Sequence, residues 1–417
     1  MPKHVKVDRL TAPNRLAGGG IARLGDDFTD RVTERATLAR SLKTPRGHVV
    51  LSGRRRIGKS SLLVAVQEDL RGEAHPVVYV DLWSASTLED MTTRLAAEAT
   101  RALGTRWAEA AITFARRLKF KLELSETAGG LLLPMPTVEL RDASKAVQRQ
   151  RLVDAFNALE ALAKSKKAHL GVIIDEFQEI ERLGSEGKGQ NEVSAMRQVR
   201  AAIQQHSHVT YIFAGSDRRI IEKLTAEQGG ALHNMGRRIE LGPIPNELLA
   251  PWIDTEMRAM GLAPEAGVSA RIIAVAGDRT RDVRTLAESC AELARQKGVV
   301  NEATISAAME TIVNERRSIY DMQWKTLNLL SQNALRATAA EGIRLTTAAV
   351  MKQYSLKSTS RAVRALQQLD TDGLLVKDGH RYRFDDPFFR AWVIRTALQD
   401  VGVHLPITHV GAGSGSP

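Results

Sequence analysis

Four runs of consecutive apolar residues punctuate the first half of the chain: His48–Ser52, Val77–Asp81, Leu170–Ile174 and Val209–Ala214. Each is too short for a typical helix and apolar on successive positions, the pattern of a β-strand buried on both faces. Around them, apolar residues recur at helical spacing over Phe28–Leu42, Ser60–Leu70, Thr87–Leu103, Ser144–Ala163 and Glu192–Gln205. Strands that alternate with helices predict an α/β fold, a parallel sheet with helices on both faces.

Two stretches break the pattern. Within residues 105–148, Phe120–Leu124 and Pro136–Leu140 alternate apolar and polar residues around Gly129-Gly130, which predicts an inserted hairpin outside the central sheet. After Pro243 the strand signal stops, and residues 245–315 read as helices with turns at Gly261–Ala266, Gly277 and Gly298. Helical patterns over Met322–Ser331, Thr346–Gln353 and Ser358–Asp370 then precede Leu374–Val376, an Asp378-Gly379 turn and Tyr382–Phe384. Three helices and a hairpin are the order of a winged helix-turn-helix. The expected organisation is a flexible 1–25, an α/β domain over 26–244, a helical segment over 245–318, a winged helix over 319–400 and a disordered tail over 401–417.

Composition narrows the class. The 417 residues suit two or three domains, and 43% hydrophobic with 26% charged residues is a soluble globular balance. Cys290 is the single cysteine, which excludes an internal disulfide and a multi-cysteine metal site and points to a reducing, cytoplasmic setting. It lies in the apolar-periodic stretch Val283–Ala294 and reads as a core residue. No run approaches the ~20 apolar residues of a membrane span, and no membrane partner is expected. The basic N-terminus, Met1–Leu10, lacks the apolar core of a signal peptide. A formal net charge of +11 draws polyanions, nucleic acid first, and serves plain solubility as well.

Residues 53–60 read Gly-Arg-Arg-Arg-Ile-Gly-Lys-Ser between a strand and a helix, the Walker A pattern. Glycines let the backbone wrap close to phosphates, and the helix that follows offers its positive N-terminus. Lys59 supplies a point charge for the β- and γ-phosphates, and the Ser60 hydroxyl is a ligand for Mg²⁺. The candidate phosphate cradle is therefore Gly53, Arg54, Arg55, Arg56, Ile57, Gly58, Lys59, Ser60 and Ser61. The three arginines either add phosphate affinity or are solvated loop charges.

Asp175 and Glu176 cap the buried run Leu170–Ile174. In a phosphate site Asp175 holds the Mg²⁺ shell and Glu176 polarises the attacking water, so both join the catalytic candidates. Ser216, after the fourth strand, either reaches the γ-phosphate or lytic water or caps a helix over Asp217–Leu224. Phosphoryl transfer also calls for an added arginine. Arg237 or Arg238 is a candidate for a neighbouring subunit's ATP in a nucleotide-dependent homo-oligomer. Arg281 or Arg284, at a helix start after Gly277, is a candidate for the same subunit's ATP.

Phe28-x-Asp30-Arg31-x-x-Glu34, the loop with Ser61-Leu62, Asp175-Glu176-Phe177-Gln178-Glu179-Ile180 and Phe213-Ala214-Gly215-Ser216 together resemble the archaeal-type ATPase family. That family belongs to the AAA+/STAND group of P-loop ATPases, near the origin-recognition initiator clade. The resemblance covers residues 26–245 and, more loosely, the C-terminal part through Asp386-Pro387-Phe388-Phe389-x-x-Trp392. It implies an AAA+-like P-loop fold with a helical lid, nucleotide and Mg²⁺ at Lys59 and Ser60, Asp175 and Glu176 as the Walker B pair, Ser216 at the sensor-1 position and Arg237 as the arginine after strand four. Ser216 stands where many AAA+ enzymes use asparagine, and Gly277–Arg281 lacks the proline often found after the sensor-2 glycine.

In the winged helix, Ser358-Thr359-Ser360-Arg361-x-x-Arg364-x-x-Gln367-Gln368 turns Ala362, Val363, Leu366 and Leu369 inward and leaves polar groups for a DNA groove. Ser358, Ser360, Arg361 and Arg364 are the candidate contacts, joined in the hairpin by Arg381, with Lys377, His380 and Arg383 placed to track a phosphate backbone. The expected function is an ATP-driven switch with ATP or ADP between α/β domain and lid, coupled to double-stranded DNA or assembly. The alternative is a scaffold with little turnover whose winged helix binds a protein partner.

Overall fold

The computed structural model describes residues 31–103, 121–126, 132–137, 143–186, 193–225, 230–342, 345–379 and 381–410. They divide into two compact units between Gly242 and Pro243.

The first unit runs α1 (Val32–Lys43), β1 (Val49–Ser52), α2 (Lys59–Gly72), β2 (Val77–Asp81), α3 (Leu88–Leu103), β3 (Lys121–Glu126), β4 (Leu132–Thr137), α4 (Lys145–Ser165), β5 (Leu170–Asp175), α5 (Gln178–Gly184), α6 (Ala195–Ile203), β6 (Val209–Gly215), α7 (Arg218–Thr225) and β7 (Arg237–Glu240). Five strands pair in parallel in the order β2-β5-β6-β1-β7. Because side chains alternate along a strand, β5 and β6 feed two cores at once. Val172, Ile174, Tyr211 and Phe213 pack with Phe156 and Met91 on one face. Ile173 and Ile212 pack with Leu38, Leu62 and Val66 on the other. This double burial explains why both runs are apolar at nearly every position.

β7 is a strand that the apolar pattern does not predict. Its residues Arg-Arg-Ile-Glu offer one apolar side chain, yet it pairs with β1 from Val49↔Arg237 to Ser52↔Glu240. At the sheet edge one covered face suffices, so the sequence need not be hydrophobic. The inserted hairpin exists as β3 and β4 in antiparallel register, Lys121↔Thr137 to Glu126↔Leu132, so its second arm starts four residues before the expected Pro136. The rest of that arm and Gly129-Gly130 lie outside the described residues.

The second unit contains α8 (Asn246–Ala259), β8 (Ala263–Pro264), α9 (Val268–Ala276), α10 (Thr280–Ala294), β9 (Val299–Val300), α11 (Glu302–Glu315), α12 (Arg317–Lys325), α13 (Leu329–Glu341), α14 (Ala348–Gln353), α15 (Thr359–Thr371), β10 (Leu375–Asp378), β11 (Arg381–Phe384) and α16 (Pro387–Trp392). One hydrophobic core runs from Ile253 and Cys290 through Ile312 and Leu335 to Leu366, Phe388 and Trp392. Burial pushes the Cys290 thiol up to about 12, which keeps it an inert core residue as expected.

Two expectations are corrected here. The helix expected over Met322–Ser331 is two helices, because the Asn328 side chain accepts a hydrogen bond from the Ser331 N–H and starts a new helix there. The segment expected to be a disordered tail is packed as far as Val410. Leu405, Ile407 and Val410 lie against the core, and Arg271 and Arg390 donate to the Thr408 and His409 carbonyls.

Candidate functional site

In an open parallel sheet, ligands bind beyond the C-terminal ends of the strands, where the order switches direction. Here that edge lies above β1, β6 and β5, and the three candidate motifs follow these three strands. The register sets Ser52 beside Gly215 and Ala214 beside Asp175, so the loop after β1, Ser216 and the acid pair share one edge.

The loop after β1 wraps as a phosphate cradle must. Gly58 caps α2 at φ +100°, a conformation that favours glycine, and a Cβ there would meet nothing within 4 Å. At Gly53 a Cβ would approach the Leu241 carbonyl to 2.9 Å, so the close passage of loop and β7 end requires glycine as well. Arg56 adopts a positive φ of 66°. Ile57 is buried, and Lys59, Ser60 and Ser61 form the first turn of α2. Lys59 is only 5% exposed, and its Nζ donates to the carbonyls of Gly53 at 2.9 Å and Arg54 at 3.1 Å. The ammonium thus bridges the mouth of the loop. The Arg55 guanidinium lies 4.6 Å from the ring centre of Trp83, which is 52% exposed.

The acid pair is held in two different ways. Asp175 is buried, and its Oδ2 accepts from Ser60 Oγ at 2.6 Å and from Tyr79 OH at 3.0 Å. Burial is the largest influence on this carboxyl and pushes its pKa up to about 6. Asp175 Oδ1 accepts from the Glu176 N–H at 3.0 Å. Glu176 itself has φ 54°, a left-handed conformation that costs about 1 kcal/mol or more outside glycine. That turn lifts its side chain off the strand toward β6. Ser216 Oγ lies 2.8 and 3.0 Å from the two carboxylate oxygens, and Gln178 Nε2 donates to Oε2.

Of the two readings of Ser216, the helix cap is filled by another residue. Asp217, not Ser216, caps α7, accepting from the N–H groups of Arg219 and Ile220 at 3.1 Å. Two polar partners of the acid pair, Tyr79 and Gln178, are not evident from the sequence. Tyr79 sits within an apolar run that signals only burial, and Gln178 follows the acids in sequence without any sign that it turns back to them.

Arg237 and Arg238 are exposed at the start of β7, level with Val49 and Val50. From Val49 to the end of β1 is about 10 Å of strand, so Arg237 stands at the far end of the sheet from its own phosphate loop. In the second unit Arg281 is exposed in the first turn of α10. Arg284 is buried, its guanidinium 5.8 Å from the Trp252 ring. The residues between Gly277 and Arg281 serve another purpose: Arg279 makes a two-pronged ion pair with Asp385, and Asp278 accepts from Arg383 at 3.1 Å.

On α15, Ser358 Oγ accepts from the Arg361 N–H at 3.4 Å and caps the helix. Ala362, Ala365, Leu366 and Leu369 are buried, while Ser360, Arg361, Arg364, Gln367 and Gln368 are exposed on the opposite face. Lys377 and Arg381 are exposed on the hairpin, and Gly379 closes it at φ +59°. Arg383 pairs with Asp278 at 3.1 Å and with Asp378 at 3.3 Å, so part of its charge is answered within the fold. His380 lies outside the described residues. Among the described residues no helix is long and apolar enough to cross a membrane.

Comparison with known proteins bears on both units. A family model described as an ATPase domain predominantly from Archaea matches residues 28–246, more than half of the chain. A second, described as a probable winged helix domain, matches residues 318–395. No curated protein sequence matches significantly. Among solved structures, the Walker-type ATPase paby2304 of Pyrococcus abyssi is 16% identical with a TM-score of 0.58, over 90% of this chain and 98% of that one. The ORC2 protein of Aeropyrum pernix, solved in ADPNP–ADP complexes, is 16% identical with a TM-score of 0.56, over 94% of this chain and 98% of that one. At this identity the likeness shows the fold alone, an AAA+-like P-loop fold, and the C-terminal winged helix domain rests on the second family match. With the Gly53–Ser60 loop, the Asp175-Glu176 pair and Ser216 gathered at one sheet edge inside the matched region, the chain belongs to the family of ATPase domains found predominantly in Archaea.

Proposed function

We propose that this protein binds ATP with Mg²⁺, hydrolyses it, and uses the nucleotide state to control engagement of duplex DNA by its winged helix. The observation that carries this reading is the pairing of Ser60, in the first turn of α2, with Asp175, and of Ser216 with Glu176 at the adjoining ends of β6 and β5. One pair suits a metal and the other suits a water.

Ser60 Oγ and Asp175 Oδ2 are hard oxygen donors, a hydroxyl and a carboxylate. Mg²⁺ takes such a set when phosphates and waters complete its shell, so the residues fit the ion. Bound there, it would neutralise charge on the β- and γ-phosphates. The chain's own groups do the rest. Lys59 exchanges the Gly53 and Arg54 carbonyls for phosphate oxygens. The N–H groups at the start of α2 face the same phosphates. Glu176 accepts hydrogen bonds on both oxygens from one side, which leaves its remaining lone pairs to orient water and take its proton. Ser216 holds that carboxylate in place. The ADPNP–ADP complexes of the Aeropyrum pernix ORC2 protein support nucleotide as the ligand.

Two further roles belong to the proposal. Arg237, remote from its own loop, would serve the ATP of a second subunit in a nucleotide-dependent homo-oligomer. Arg281, exposed at the start of α10, would sense nucleotide in its own chain. On α15, Ser358, Ser360, Arg361 and Arg364, with Arg381 from the hairpin, would contact DNA bases and phosphates. Steady-state ATPase measured across a titration of duplex DNA, with mass determined with and without ATP, tests the reading. Turnover that responds to DNA supports it. Nucleotide held without turnover, and no DNA binding, would favour a scaffold with a protein partner. A monomer in every nucleotide state would remove the role of Arg237 in a neighbour's site.

A further inference from the structure

We infer that Gln178 is a positioning residue for the hydrolytic reaction: its side-chain amide, seated in a slot that Gly215 leaves open, aims the Glu176 carboxylate at the attacking water. This rests on the hydrolytic reading above and adds to it a residue outside the Walker A, Walker B and sensor positions.

Three observations carry the inference. The first is the fork of donors. Ser216 Oγ reaches both oxygens of Glu176, and Gln178 Nε2 reaches Oε2. A carboxylate held by the hydroxyl alone can rotate about its last bond, whereas a second donor on one oxygen fixes its plane. The second is the slot. A Cβ on Gly215 would overlap Gln178 Oε1, so this glycine is what admits the amide beneath the carboxylate.

The third is the cost of an amide at this place. Gln178 is 1% exposed, and its Oε1 finds no hydrogen-bond donor among the described residues. An unsatisfied buried carbonyl is destabilising, because it has given up its water without gaining a donor. A site that served packing alone would be filled better by methionine or leucine. Turning the amide over brings no relief, because it sets a carbonyl oxygen against the carboxylate. The fold therefore tolerates one unpaired acceptor to keep one donor on Glu176. The left-handed turn at Glu176 and the short helix α5 bring the two side chains face to face although they are two residues apart in sequence.

The experiment compares the parent, Gln178→Met and Glu176→Gln in steady-state ATPase, together with equilibrium binding of a fluorescent ADP analogue and thermal unfolding. Methionine nearly preserves the volume and removes the donor. The expected result for Gln178→Met is a fall in kcat of about 10- to 100-fold, with KM and analogue affinity unchanged and an unfolding temperature equal to or above the parent's. Gly215→Ala, which displaces the amide without altering Gln178, should show the same split between kcat and KM. It also keeps the test decisive should Gln178→Met fail to fold. Parent-level kcat in Gln178→Met would overturn the inference while leaving Glu176 in its role. So would a raised kcat, or a loss shared equally between kcat and nucleotide affinity. A parent that hydrolyses no ATP would overturn the hydrolytic reading and this inference together.

Discussion

The two ends of the central sheet are built on opposite principles. At the C-terminal ends, Lys59, Asp175 and Glu176 are charged groups packed close together, and they hold one another's neighbours through polar atoms that a ligand can replace. At the N-terminal ends stand His48, His75, His169, His206 and His208, half of the chain's ten histidines, each just before a strand. These serve the fold. His48 is buried, and its Nδ1 accepts the Tyr211 backbone N–H at 3.1 Å, which requires a neutral ring. His206 bridges Tyr211 OH at 2.9 Å and Asn157 Oδ1 at 3.2 Å. Burial lowers the pKa values of His48, His75, His169 and His206. One end keeps charge for binding, and the other keeps His48 neutral for packing.

The same division runs through the arginines of the second unit. Arg279 is 6% exposed and locked to Asp385, and Arg383 is tied to Asp278. Arg361 and Arg364 lie exposed on the outer face of α15. Chemistry alone does not separate these residues; burial and a carboxylate neighbour do.

The largest expected effect breaks the binding end. Lys59→Ala should weaken ATP binding by on the order of 1000-fold, measured with a fluorescent analogue, while unfolding of the nucleotide-free protein changes little. A large loss of ligand-free stability with binding retained would mean that this end, too, serves the fold.

The next sharpens the packing end. Burial depresses His48 from 6.5 to about 4, so protonation favours the unfolded chain. Its contribution is complete above pH 6.5 and is lost as pH falls from there toward 4, on the order of 3 kcal/mol in all. His48→Asn offers Oδ1 to the same Tyr211 N–H without titrating. Denaturant unfolding from pH 7 to pH 4 should therefore be flatter in the variant, with nucleotide affinity at pH 7.5 as in the parent. Identical slopes in the two proteins would remove His48 from the acid sensitivity.

A smaller effect is expected on α15. Arg361→Ala with Arg364→Ala should weaken duplex DNA binding about tenfold and lower the salt slope by about one for each phosphate no longer neutralised. Unchanged affinity and slope would exclude this face as the DNA surface.

Much of this arrangement is legible in the chain, for physical reasons. β1, β2, β5 and β6 lie inside the sheet or under helices and so read as continuous apolar runs, and the Walker A loop and acid pair follow two of them directly. β7 is hidden because an edge strand needs only Ile239 to face inward. The helix break at Asn328 is hidden because Trp324, Leu327 and Leu330 continue the apolar spacing across it and all pack on the core. Gln178 is legible as a residue and not as a partner, since the left-handed turn of Glu176 decides where its amide points. The histidines do carry a signal, each preceding a strand, and parallel pairing alone brings them to one end.

The claim that the acid pair hydrolyses nucleotide meets its most direct test in Glu176→Gln. ATP binding and single-turnover hydrolysis are measured on the same preparation of parent and variant. Binding should be retained, and hydrolysis should fall by at least about 100-fold. Equal hydrolysis in the two proteins would contradict the role of Glu176 and leave a nucleotide-binding fold without its base.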